Sequence, residues 1–145
     1  MSPVPDFIRP LLAHPVAVLG AGVSGAAARE LVESLGGRAQ VFDEQGGPGL
    51  ATEFRGAAAT AHRLVIFSPG FMPTHPWIAT ARAGGAVCVG ELDFASLFWR
   101  GRVIAITGTN GKTTLTQFLT HALKAAGRDA EAAGNIGYPL SRLVL

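Results

Sequence analysis

Val16-Ala17-Val18-Leu19-Gly20-Ala21-Gly22-Val23-Ser24-Gly25 runs from four apolar residues into a turn of three glycines. The apolar run predicts a short buried strand. The glycines fit G-x-G-x-x-G. Behind them Ala28, Leu31, Val32 and Leu35 recur at helical spacing, and Gly36-Gly37 mark the end of that helix. Residues 39–42 predict a second strand, closed by Asp43. The result is a βαβ unit with an acidic residue after its second strand. In such a unit the glycines permit a tight turn, close approach of backbone to a phosphate, and close packing of helix on strand. Asp43 and Glu44 would face a sugar or a base. The plainer alternative is that the glycines serve packing alone.

The same alternation continues outward. The lead-in, residues 1–15, holds four prolines and room for one short helix near residues 7–12. Residues 45–49 read as a glycine-rich loop. Residues 50–61 are alanine-rich and predict a short helix, weakened by Gly56. Residues 64–67 predict a third strand, ending in Ser68-Pro69-Gly70. Thr74 is the expected cap of a helix over 76–83, with Gly84-Gly85 after it. Residues 86–89 predict a fourth strand and residues 91–99 an amphipathic helix. Strands alternating with helices imply a Rossmann-like, doubly wound parallel α/β sheet. Ligands of such sheets bind beyond the carboxyl ends of the strands. Gly20, Gly22, Val23, Ser24, Gly25, Asp43, Ser68, Pro69 and Gly70 should therefore line one rim.

A second glycine turn lies downstream. Residues 103–106 predict a short buried strand. Thr107-Gly108-Thr109-Asn110-Gly111-Lys112-Thr113-Thr114 follows, and then a helical stripe of Leu115, Phe118, Leu119, Ala122, Leu123 and Ala126, with Gly127 to end it. This is the layout of a phosphate-binding loop: backbone amides turned inward, Lys112 reaching terminal phosphates, the Thr113 hydroxyl on Mg²⁺. The general pattern G-x-x-x-x-G-K-[ST] would need a glycine where Ile106 stands. The competing reading is an ordinary glycine turn with an exposed lysine.

Composition bounds the rest. The chain has 145 residues, 48% hydrophobic and 15% charged, an ordinary globular balance. Net charge is +2, and the arginines are scattered rather than gathered on a face with aromatics, which argues against nucleic acid as a partner. The single cysteine, Cys88, sits in an apolar run and reads as core rather than nucleophile. No secretory leader and no span of membrane length is visible, so a soluble cytoplasmic protein is expected. His14, His62, His75 and His121 show no metal-ligand spacing. Glu91 reads as a solvated carboxylate at a helix start.

The loop 107–114 resembles the ATP loop of the Mur ligase family. V-L-G-A-G-V-S-G (18–25), V-F-D (41–43), S-P-G-F-M-P-T-H-P (68–76), V-G-E-L-D-F (89–94) and G-N-I-G (134–137) carry the resemblance across the chain. The third and fourth of these favour the family's D-glutamate-adding members. The resemblance implies an ATP-dependent amide ligase of peptidoglycan synthesis, with ATP and Mg²⁺ as cofactors and with UDP-N-acetylmuramoyl-L-alanine and D-glutamate as substrates. It implies Val23 and Ser24 at the nucleotide and pyrophosphate, Asp43 at the uracil, and Ser68, Pro69 and Gly70 near the uridine diphosphate. Asn135 would lie near the reacting end of that substrate. Gly108, Thr109, Asn110, Gly111, Lys112, Thr113 and Thr114 would handle ATP, with Lys112 catalytic and Thr113 on the metal. Residues 1–99 would form the UDP-substrate domain. Residues 100–145 would open an ATP-binding domain whose remainder, with the family's further metal ligands and amino-acid domain, has no counterpart here. The chain by itself is thus expected to be an inactive N-terminal fragment. Its residues 103–145 are expected to pack on the first domain, to pair with a second copy, or to stay mobile. An NAD-binding dehydrogenase domain and a non-catalytic nucleotide-binding module are the alternatives.

Overall fold

The computed structural model describes residues 4–145. Four strands, β1 (Pro15–Leu19), β2 (Arg38–Phe42), β3 (Leu64–Phe67) and β4 (Val87–Gly90), form one sheet in the order β2-β1-β3-β4. All three pairings are parallel, with Val18 opposite Val41 and Ile66, and Ile66 opposite Val89. Parallel strands are covered on both faces and so read as continuous apolar runs. Residues 16–19 and 64–66 are indeed fully buried.

The two-residue period of a strand sorts these side chains onto two faces. Val16, Val18, Leu64 and Ile66 face α2 (Val23–Ser34), α5 (Glu91–Ser96) and α7 (Leu140–Val144), against Ala28, Leu31, Val32, Phe94, Ala95 and Leu140. Ala17, Leu19 and Val65 face the other way. Their cover is Phe42 and Phe54, with Ala59 of α3 (Ala57–Thr60) and Ile78 and Ala81 of α4 (Pro76–Ala83). The chain is therefore a three-layer α/β fold. The short α1 (Arg9–Leu12) closes the first layer through the buried Leu12. Residues 1–3 of the proline-rich lead-in lie outside the described residues.

Several expectations shift. The helix expected over 50–61 shrinks to α3, because Gly56 stands at φ +55° and the buried Phe54 holds the preceding backbone in the core. Ala51 instead makes an isolated parallel bridge with Phe42. The cap of α4 is His75, not Thr74: its Nδ1 accepts from the Trp77 amide at 3.2 Å. Residues 103–106 form no strand. A strand exists through its neighbour's hydrogen bonds, and this run has none: Val103 and Ile104 are 71% and 61% exposed. The helix behind it does form, as α6 (Lys112–Ala125). It ends in a Schellman turn, with the Arg128 amide donating to Leu123 O at 2.9 Å and the Gly127 amide to Lys124 O at 3.0 Å. None of its residues is buried, and Leu115 and Phe118 face solvent. The helix α7 was not foreseen.

Candidate functional site at the carboxyl edge of the sheet

Because β1 leads to β2 on one side and β3 lies on the other, the strand order reverses between β1 and β3. The crevice beyond that point is where doubly wound sheets take ligands. An open cleft of about 770 Å³ occupies it, lined by the loops after β1, β2 and β3.

The loop after β1 is held from both sides. The Gly20 amide donates to Phe42 O at 2.7 Å. Gly20 itself has φ +98°, and a Cβ there would stand 2.8 Å from Ser68 Oγ, so only glycine lets the first and third loops meet. Gly25 allows the return: a Cβ on it would sit 1.8 Å from the Gly20 carbonyl oxygen. Gly22 differs, with nothing within 4 Å of its Cβ position. It is the N-cap of α2, and no side chain caps that end. The amides of the first helical turn have no acceptor within a helix, and here they begin at the cleft-lining Val23 and Ser24.

Asp43 serves the loop as well as the cleft. Its Oδ2 accepts from the Ala21 amide at 2.7 Å and its Oδ1 from the Gln45 amide at 2.9 Å. Each oxygen keeps one further lone pair. After β3, the Ser68 amide donates to Leu19 O at 3.0 Å, and Ser68 Oγ, buried beside Gly20, has no hydrogen-bond partner. Phe71 and His75 complete that wall, their rings edge to face with centroids 4.7 Å apart. With Nδ1 accepting from Trp77, the His75 ring carries its hydrogen on Nε2, which faces Glu44 Oε2 at 3.4 Å.

The far wall comes from the end of the chain: Gly134, Asn135, Gly137 and Pro139. Residues 132–138 form a tight loop, with Tyr138 N donating to Ala132 O at 3.1 Å and Gly134 N to Tyr138 O at 3.2 Å. Thus Gly20, Gly22, Val23, Ser24, Asp43, Ser68, Pro69, Gly70 and Asn135 meet at one cleft, with Gly25 packed behind it. Glu44, expected with Asp43 at a sugar or base, lines it too, as do Gln45, Phe71, His75, Gly134, Gly137 and Pro139, which were not singled out although each lies within or beside a quoted motif. None of the lining residues is Lys or Arg. Phosphate charge in this cleft would meet backbone amides and the α2 N-terminus.

Gly108, Thr109, Asn110, Gly111, Lys112, Thr113 and Thr114 do not line it. They form their own loop, with Gly111 at φ +77° as the N-cap of α6 and no side chain capping that end. Lys112 folds its ammonium onto the carbonyls of Gly108 and Thr109. Among the described residues no cluster of His, Cys, Asp or Glu forms a metal site, and no helix is long and apolar enough to cross a membrane.

No family model matches the chain. Curated relatives do. It is 41% identical over 142 residues to the UDP-N-acetylmuramoylalanine–D-glutamate ligase of Frankia casuarinae, covering 87% of this chain and 30% of that protein. The enzyme of the same name from Aquifex aeolicus is 40% identical over 128 residues, with 88% and 30% covered. That from Salinibacter ruber is 37% identical over 160 residues, with 97% and 34% covered. The chain spans about a third of the length of the curated relatives it matches.

Proposed function

We propose that this chain, which belongs by sequence to the Mur ligase family, holds the uridine-diphosphate end of UDP-N-acetylmuramoyl-L-alanine in the cleft at the sheet's carboxyl edge. The observation that carries the reading is the meeting of three strand-end loops and the uncapped α2 N-terminus at the topological switch point. Val23 and Ser24 offer first-turn amides to the pyrophosphate. Ser68 offers a hydroxyl without a protein partner. Asp43 keeps lone pairs for the N–H of a uracil while anchoring the loop. Pro69, Gly70, Phe71 and His75 shape the base side. Asn135, on the far wall, would meet the sugar and peptide end.

The family role is that of the substrate-holding part of an ATP-dependent ligase in peptidoglycan synthesis, adding D-glutamate. In that chemistry the alanyl carboxylate takes the γ-phosphoryl group of ATP and ADP leaves. The D-glutamate amine then attacks the acyl carbon, the C–N bond forms as the C–O bond to phosphate breaks, and the amine loses a proton. The loop at 108–114 fits a triphosphate. Its first-turn amides are uncapped, and Lys112 is held over the loop by carbonyls it can exchange for phosphate oxygens. Thr113, exposed in the same turn, would hold Mg²⁺, which when bound neutralises phosphoryl charge. Lys112 would do the same from the protein.

Against an NAD-binding reading stands the second glycine loop, with Lys112 over it and the uncapped N-terminus of α6 behind it, for which a dinucleotide-binding domain has no use. Calorimetric titration of UDP, NADH and ATP into the chain decides. UDP binding that weakens in Ser68→Ala, which removes the unpartnered hydroxyl, and in Gly22→Val is expected. NADH binding tighter than UDP would favour the dehydrogenase reading, and UDP binding untouched by both substitutions would sink the assignment of the cleft.

A further inference from the structure

Glu91 is the first residue of α5, where a carboxylate ordinarily faces water, yet it is 1% exposed. Its Oε1 accepts a hydrogen bond of 2.7 Å from the amide of Ser141, fifty positions away in α7. Ser141 is itself fully buried, its neighbour Leu140 is 8% exposed, and α7 packs on both α2 and α5. The remaining polar atoms at the junction, Glu91 Oε2 and Ser141 Oγ, are buried with no hydrogen-bond partner. A buried carboxylate that keeps so few partners is expensive to retain, since an apolar residue of like volume would cost less. What it accomplishes is directional. Apolar packing alone would allow several registers of α7 on the sheet domain, and the other directional tie, Arg142 to Glu30 of α2 at 2.6 Å, is solvent-exposed and weak, so the buried bond to Glu91 fixes the register.

That register has a consequence at the cleft. The residues immediately before α7, namely Gly134, Asn135, Gly137 and Pro139, are its far wall. We infer that Glu91 is a positioning residue of this site: by holding the Ser141 amide it seats α7 and so sets Asn135 opposite the glycine loop after β1. The inference rests on the ligand reading given above and adds a division of labour to it. The near wall, made by the three strand-end loops, is complete without Glu91 and takes the nucleoside diphosphate. The far wall needs Glu91 and is felt only by a ligand that extends past the second phosphate.

The test has two arms on the full chain. The first uses no ligand: hydrogen exchange at Leu140–Val144 and backbone amide shifts at residues 134–137, in wild type, Glu91→Ala and Glu91→Gln. Glu91→Ala should lose protection throughout α7 and shift 134–137, with protection of β1 retained. Glu91→Gln keeps an oxygen to accept from Ser141 and should retain both. The second arm is calorimetry with UDP and with UDP-N-acetylmuramoyl-L-alanine. If the docked population falls to about a tenth, the extended ligand binds about tenfold more weakly in Glu91→Ala while UDP stays within about twofold. Should Glu91→Ala also lose protection of β1, Glu91→Met, which keeps the volume and removes the acceptor, replaces it in both arms. Protection of α7 unchanged in Glu91→Ala, or an equal loss for both ligands, overturns the inference. A wild type that binds neither ligand would refute the functional reading, while the first arm would still support or overturn the seating by Glu91.

Discussion

The carboxylate of Asp43 lies 2.7 Å from the amide nitrogen of Ala21, joining the end of β2 to the glycine loop after β1. With its second oxygen on the Gln45 amide, Asp43 fixes two of the three loops that make the cleft. A residue expected to wait for a ligand is thus also a structural tie.

Asp43→Ala should therefore lower both stability and affinity. Charge-assisted hydrogen bonds contribute about 1.5–3 kcal/mol when buried, and partial exposure of Asp43 brings the expected loss to about 1 kcal/mol. Asp43→Asn keeps one bond but sets an NH₂ against the other amide, so it should not rescue. Thermal melting and UDP calorimetry read the two effects. A variant that melts like wild type would contradict the tie.

The glycines of the first loop should part company under substitution. Gly25→Ala forces a methyl to within 1.8 Å of the Gly20 carbonyl oxygen, which the backbone must escape by moving. Overpacking of this kind costs roughly 1–3 kcal/mol or more. Gly22→Ala meets open space and should change stability by less than about 1 kcal/mol. Chemical denaturation of the two proteins checks this, and equal losses would count against the geometry of the turn.

Solvent-facing Val103, Ile104, Leu115 and Phe118 should make the chain associate as its concentration rises, since exposed apolar surface is removed from water by contact. Sedimentation across a concentration series should show reversible self-association that Phe118→Ser reduces. Hydrogen exchange in dilute protein should find 103–106 far less protected than β1. A monomer at all concentrations would refute the first expectation, and equal protection the second.

Cys88 should be a slow thiol. Burial pushes its pKa up from the ordinary thiol value, and the nearby Arg82 offsets this only in part through its charge and a hydrogen bond. Alkylation should keep accelerating above the pH at which a free cysteine reaches its plateau. Because the folded thiol resists ionisation more than the unfolded one, stability should decline as pH rises from the ordinary thiol pKa towards the raised one. Cys88→Ala should remove that alkaline slope. A plateau at the ordinary thiol pKa would show the site to be more open than it is drawn.

Local patterns carried much of the architecture. The apolar runs at 16–19 and 64–67, the helix with Ala28, Leu31 and Val32, and the glycines at 20, 22 and 25 are each readable within one turn or one strand. Their strand-end positions alone implied that Ser24, Asp43 and Ser68 would share a rim, and they do. The helix α6 was legible for the same reason: its stripe and its terminal glycine are local. Three matters belong to tertiary structure, because each depends on a partner remote in sequence. Residues 103–106 look like a strand but have no neighbour to pair with, and pairing is what makes a strand. Asp43 is tied to the amide of Ala21 across 22 positions, so its occupancy could not be read from V-F-D. Glu91 has the composition of a solvated helix start and became buried because the Ser141 amide, delivered by a helix of five residues, reaches it across the top of the sheet domain.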